Sequence, residues 1–125
     1  MPMPNSMLAQ KIAARILARQ PAEDFTAKIA GFNEAYGLQD TVATHLADEL
    51  GKVAGYKIAW NNAAQIAQFS PNAPAVGHVF ARQVYQSGKV FNSAEFSQLV
   101  VEPEVIAVMA NDLIGSNHTR ESVLP

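Results

Sequence analysis

Residues Leu99 to Met109 constrain this chain more than any other stretch. They read Leu-Val-Val-Glu-Pro-Glu-Val-Ile-Ala-Val-Met. A run this apolar needs cover, and its β-branched side chains predict a strand continuing towards Leu113. Side chains alternate faces along a strand. Glu102 and Glu104 then share one face with Val100, Ile106 and Val108. Leu99, Val101, Pro103, Val105, Ala107 and Met109 form the other face, which is wholly apolar.

Two ionised carboxylates on one face repel each other, and burying them raises the cost. Two readings resolve this. In one, a hard divalent cation such as Mg²⁺ lies between them. Such ions take oxygen ligands and commonly use only one or two protein carboxylates, with water and substrate filling the shell. In the other, the pair sits on a solvated face at a sheet edge, where Pro103 is tolerated because no ladder needs its missing N–H. Glu-x-Glu alone does not choose between them.

The chain has 125 residues, enough for one small domain. At 49% hydrophobic and 16% charged it belongs with globular rather than disordered sequences. A net charge of −2 argues against nucleic acid or an anionic membrane surface as a partner. There is no cysteine, which excludes disulfides, thiolate zinc sites and a cysteine nucleophile, and fits a cytoplasmic protein. No apolar run approaches the ~20 residues of a membrane-spanning helix, and the beginning lacks a secretory apolar core. Residues 1–20 carry Lys11, Arg15 and Arg19 and no acid, as a mitochondrial transit peptide would. Serine is scarce there, so an ordinary amphipathic helix is the better reading. No serine forms a nucleophile elbow, which sets Ser-His-Asp hydrolysis aside.

In chain order, Met1 to Pro4 is expected to fray. Asn5 or Ser6 caps a helix over 7–19, whose stripe is Leu8, Ile12 and Ile16, and Pro21 ends it. A short helix is possible over 22–31. Asn33 is read as the cap of a second helix over 34–50, because Leu38, Val42, Leu46 and Leu50 form an unbroken i, i+4 series. Gly51 suits the C′ position. His45 reads as a boundary histidine beside that stripe. A strand follows over 52–60, then a short helix from Asn62 to Phe69, a turn over 70–74 and a strand over 75–80. Gln86-Ser87-Gly88 is a turn and 89–92 a short strand. Thr119 caps a final helix whose first apolar residues are Val123 and Leu124. The fold class is α+β: a helical segment over 1–52, then a β-rich segment over 53–125.

Four segments carry a resemblance. Val101-Glu102-Pro103-Glu104-Val105-Ile106-Ala107-Val108-Met109, followed by Asn111-Asp112-Leu113, resembles the metal-binding strand of the 2-keto-4-pentenoate hydratase family. This family lies within the fumarylacetoacetate hydrolase superfamily and includes 4-oxalocrotonate decarboxylase. Ala35-Tyr36-Gly37-Leu38-Gln39 resembles its Ala-Tyr-x-Leu-Gln helix segment. Gly55-Tyr56-Lys57-Ile58-Ala59 resembles the Gly-x-Lys-(Ile/Val)-Gly strand that follows, at the right spacing. Gly77-His78-Val79-Phe80 is similar to a later Gly-x-Leu-(Leu/Phe) segment. The chain departs from the pattern at Ala59, where the family usually has glycine. Trp60-Asn61-Asn62 replaces a small hydroxyl residue, which would narrow the pocket, and Ala81-Arg82-Gln83 lacks the usual acid.

The resemblance implies a metal-dependent hydratase of 2-hydroxypenta-2,4-dienoate or a related 2-keto acid. It makes Glu102 and Glu104 ligands of Mg²⁺ or Mn²⁺, and Lys57 the catalytic and substrate-binding cation that holds a carboxylate or enolate oxygen. His78 is a further substrate-binding candidate. Without the resemblance, Lys57 would be read as a solvated lysine. Decarboxylation of a 2-keto dicarboxylate uses the same chemistry and stays open. So does an inactive structural module. In the family the chain continues for about as long again and supplies a third acidic ligand. The resemblance therefore implies that the β-rich segment is incomplete at its C-terminal end and that the chain self-associates as a homo-oligomer.

Overall fold

The computed structural model describes residues 5–69 and 73–123. The expectations for Met1 to Pro4, for Ser70 to Asn72 in the turn and for Leu124 lie outside the described residues. The element order is α1 (Asn5–Leu17), α2 (Phe32–Leu50), β1 (Val53–Ala59), α3 (Ala63–Phe69), β2 (Ala75–Phe80) and α4 (Arg120–Val123). The class is mixed helix and sheet, with a two-stranded antiparallel sheet.

The core is a helical hairpin closed by one strand residue. Leu8, Ala9 and Ala13 of α1 meet Leu38, Val42, Ala43 and Leu46 of α2, and Phe80 at the end of β2 completes the cluster. Leu38, Val42 and Leu46 belong to the i, i+4 series, with Ala43 beside them, so the stripe faces its partner as periodicity dictates. Ala9 and Ala13 add no bulk between the helices. Ile12, Phe25, Ile29, Leu50 and Val53 pack around the rim.

The helix ends show how local chemistry sets the boundaries. At the end of α1, Arg19 takes a left-handed conformation with φ +54°. Its N–H reaches Ile16 O, and Gln20 N–H reaches Arg15 O, both at 3.0 Å. This is a Schellman closure with arginine at the C′ position usually held by glycine. Helix α2 starts at Phe32 with Gly31 as N-cap, rather than with Asn33 as expected. No side chain caps it; the Glu34 carboxylate instead reaches back to the chain before the helix, accepting from Ala30 N at 2.6 Å and Asn5 Nδ2 at 3.1 Å. Between the helices only a 3₁₀ turn forms, over Thr26–Lys28. The Asp24 carboxylate starts it by accepting from Thr26 N and Oγ1. Gly51 closes α2 with φ +80°, its N–H on Ala47 O at 2.9 Å. The caps expected at Asn62 and Thr119 are present: Asn62 Oδ1 accepts from Gln65 N, and Thr119 Oγ1 from Ser122 N.

Strand β1 pairs with β2 in the register Tyr56 with His78, Lys57 with Gly77 and Ile58 with Val76, after an irregularity between Val53 and Gly55. Two side chains of α2 serve the main chain of β2 at Val76. Its N–H donates to Tyr36 Oη at 3.2 Å, and its carbonyl accepts from Gln39 Nε2 at 3.1 Å. At the far end of the sheet, Ala81 N donates to Lys52 O, and Arg82 Nη1 donates to the carbonyls of Asp48 and Glu49 at 2.9 and 2.8 Å. That arginine satisfies the last turn of α2 and ties the sheet to the hairpin.

Two expectations fail. Neither Leu99–Leu113 nor Lys89–Asn92 is a strand, so the regular strands of the expected β-rich segment are confined to 53–80 among the described residues. Residues 97–118 are joined to no other described residue by a backbone hydrogen bond. The reason is pairing, not propensity. A strand needs a neighbour with free N–H and C=O groups. On the β2 edge those groups at Val76 are already engaged by Tyr36 and Gln39, and on the β1 side Pro103 removes a donor from the middle of the run. The apolar side chains consequently stay in solvent: Val101 is 84% exposed and Val105 fully so.

Candidate carboxylate–lysine site

Strand β1 presents Lys57 opposite Gly77, so the register leaves the space across from the lysine stem clear. The extended segment then passes close enough to deliver both carboxylates to one nitrogen. Lys57 Nζ lies 2.9 Å from Glu102 Oε2 and donates a hydrogen bond to Glu104 Oε1. The side chains of Lys57, Glu102 and Glu104 are 45%, 59% and 48% exposed. Water therefore screens the attraction. The bond to Glu104, then the bond to Glu102, raise the Lys57 pKa above its ordinary 10.5, against a smaller opposing effect of desolvation. The expected repulsion between buried carboxylates does not arise, because the pair is solvated and shares an ammonium. Glu102 and Glu104 do turn the same way, as strand-like alternation requires.

His78 is placed elsewhere. Its register partner is Tyr56, so alternation sets it on the sheet face opposite Lys57. It is half-buried, with its ring 5.6 Å from Tyr56 and 6.4 Å from Phe80, and Nε2 is 3.5 Å from Asp40 Oδ1. Trp60, expected to narrow a pocket near Lys57, stacks on Phe69 at 5.3 Å instead.

The donors at the site are all oxygens, open to water, and point to one place. That suits a hard cation held by two carboxylates with water completing its shell. Such a cation would have to take the carboxylates from Lys57. Among the described residues, no group of three or more His, Asp or Glu side chains gathers to hold a metal. The fit is therefore to a two-carboxylate, water-rich site and not to a closed cage.

Reading from sequence missed an open groove of about 960 Å³ that runs from the ends of α1 and α2 to Glu102. Ile16 and Leu50 line one side, and Tyr85, Phe91 and Phe96 the other. The three aromatics form an edge-to-face chain with centroids 4.9 and 5.9 Å apart. They were legible only as apolar residues scattered through a stretch read as turns, loops and one short strand. No helix among the described residues is long and apolar enough to cross a membrane.

Comparison with models of known families, with curated proteins and with solved structures gives no match. The family resemblance thus rests on the short segments around Tyr36, Lys57, His78 and Glu102 alone. Two of these segments meet at the site, and the first lies against β2.

Proposed function

We propose that this chain carries part of the active site of a metal-dependent hydratase that acts on 2-hydroxypenta-2,4-dienoate or a similar 2-keto acid, as a cytoplasmic homo-oligomer. The observation that supports it is the meeting of Lys57 with Glu102 and Glu104, the latter 47 residues away in sequence. A Mg²⁺ or Mn²⁺ ion held by Glu102 and Glu104 supplies Lewis-acid polarisation of the acid's oxygens when bound. Lys57 does the rest of the electrostatic work. It balances the two carboxylates until the ligand arrives, and then offers its N–H donors to the substrate carboxylate. Its exposure lets a small anion approach from solvent.

The test is thermal unfolding with and without Mg²⁺ or Mn²⁺, on the wild type and Glu104→Ala, beside a spectroscopic assay of dienoate consumption. Ligand that binds only the folded state raises the melting temperature. We expect a rise that Glu104→Ala abolishes, and dienoate turnover that needs both the ion and Lys57. Indifference to both ions together with no turnover would end the proposal. In that event the exposure of Val101 and Val105 favours a second reading, a structural module that works by self-association.

A further inference from the structure

We propose that the segment Val101–Met109 is a dimer interface, paired antiparallel with the same segment of a second copy about a two-fold axis at Val105. This deepens the homo-oligomer part of the reading above. It is independent of the metal and can fail or hold while the hydratase chemistry does the opposite.

Surface area is the first argument. A compact chain of 13.5 kDa exposes about 6,500 Å². This chain exposes 10366 Å². The excess is several times the roughly 800 Å² that each partner gives to a standard interface. Much of it is apolar and continuous: Val101, Val105, Ile106 and Val108 are each more than four-fifths exposed.

Charge is the second argument. Lys57 draws Glu102 and Glu104 towards the sheet. Their neighbours Val101 and Val105 are left facing solvent, with no charge between them. In a pair joined edge to edge the apolar side chains of the two copies lie beside each other across the strands, where such cross-strand neighbours attract. The uncharged face offers nothing by which a differently charged partner would be selected.

The backbone gives the third argument. The N–H and C=O groups of 97–118 are bonded to no other described residue, so two such segments can pair edge to edge. Antiparallel pairing centred on Val105 sets Val101 opposite the partner's Met109. It sets Glu104 opposite the partner's Ile106, so the carboxylates of the two copies do not face each other. Pro103 falls opposite the partner's Ala107.

The experiment is sedimentation velocity at micromolar concentration without added metal, joined to cysteine trapping. The native chain has no cysteine, so Val105→Cys reports on one position. On a two-fold axis that residue meets its own copy. The control is Val90→Cys, itself 85% exposed but outside the face. We expect a dimeric wild type and a Val105→Cys disulfide that forms much faster than the Val90→Cys one. Val105→Asp should sediment as a monomer with an unchanged helical spectrum, its dissociation constant raised on the order of a hundredfold or more because like charges would oppose across the axis. A monomeric wild type, equal trapping at the two positions, or a Val105→Asp dimer of unchanged affinity would each overturn the proposal.

Discussion

Replacing Arg82 with alanine tests the joint between helix and sheet. The Arg82 guanidinium donates to the Asp48 and Glu49 carbonyls at 2.9 and 2.8 Å. These belong to the last turn of α2, whose carbonyls have no partner inside the helix. Hydrogen bonds from a charged donor contribute about 1.5–3 kcal/mol when sheltered. Here both use one nitrogen and are open to water, so together they count as one ordinary bond of about 1 kcal/mol, with ~0.3–1 kcal/mol more from a cation at a helix C-terminus. The expected loss for Arg82→Ala is about 1–2 kcal/mol. A folded unit of this size loses roughly 4–8 °C per kcal/mol, so the melt followed by far-UV circular dichroism should fall by about 4–16 °C. Arg82→Lys keeps the charge but not the planar fork, and should recover only part of the loss. A melting temperature unchanged in Arg82→Ala would mean that Phe80 and the Tyr36 and Gln39 bonds to Val76 hold the sheet to the hairpin without it, and the capping argument would be wrong.

Three further outcomes follow from the same structure. Leu8→Ala, at a residue 1% exposed in the hairpin core, should cost about 2–5 kcal/mol, read as a lower urea midpoint at an unchanged slope. On the acid side, Lys11 beside Glu23, Thr26 beside Asp24, and the Ala30 N–H on Glu34 hold those carboxyls below their ordinary 4.5, 3.8 and 4.5. Their stabilisation is present above those values and lost as pH falls through the lower folded ones; Glu34→Gln should flatten part of that slope in melts taken across the acid range. On the alkaline side, the raised Lys57 pKa makes its contribution complete below 10.5 and lost as pH rises through the higher folded value. A carbon-detected NMR titration of Lys57 should show that inflection above 10.5, and Glu102→Gln with Glu104→Gln should bring it back.

The helical half was legible because its signal is local. Leu38, Val42 and Leu46 are four residues apart, and a helix needs only its own residues to satisfy its backbone. Strand β2 was legible because turn chemistry bounds it on one side and Phe80 anchors it on the other. Leu99–Met109 was misread for the opposite reason. Periodicity says which side chains share a face, and it placed Glu102 and Glu104 together correctly. It does not say whether a neighbouring strand has an open edge, and the Val76 main chain was already engaged by Tyr36 and Gln39. Those residues sit in a segment quoted for its family resemblance, yet their visible work is structural. The union of Lys57 with the carboxylates came from resemblance, since no spacing rule links residues so far apart. His78 stands apart from Lys57 because its register sets it on the other face.

The bareness of the backbone over 97–118 also sets a clock. Amides in α2 and in the β1–β2 ladder exchange with heavy water only when the hairpin or sheet opens. Amides of 97–118, bonded to no other described residue, exchange in the monomer at the rate of an unfolded peptide. A brief pulse of deuterium would therefore write two masses onto one chain, a fast increment from the segment and a slow one from the body. Association through Val105 would move part of the fast increment into the slow one, so isotope uptake measured against protein concentration follows the pairing of two copies amide by amide.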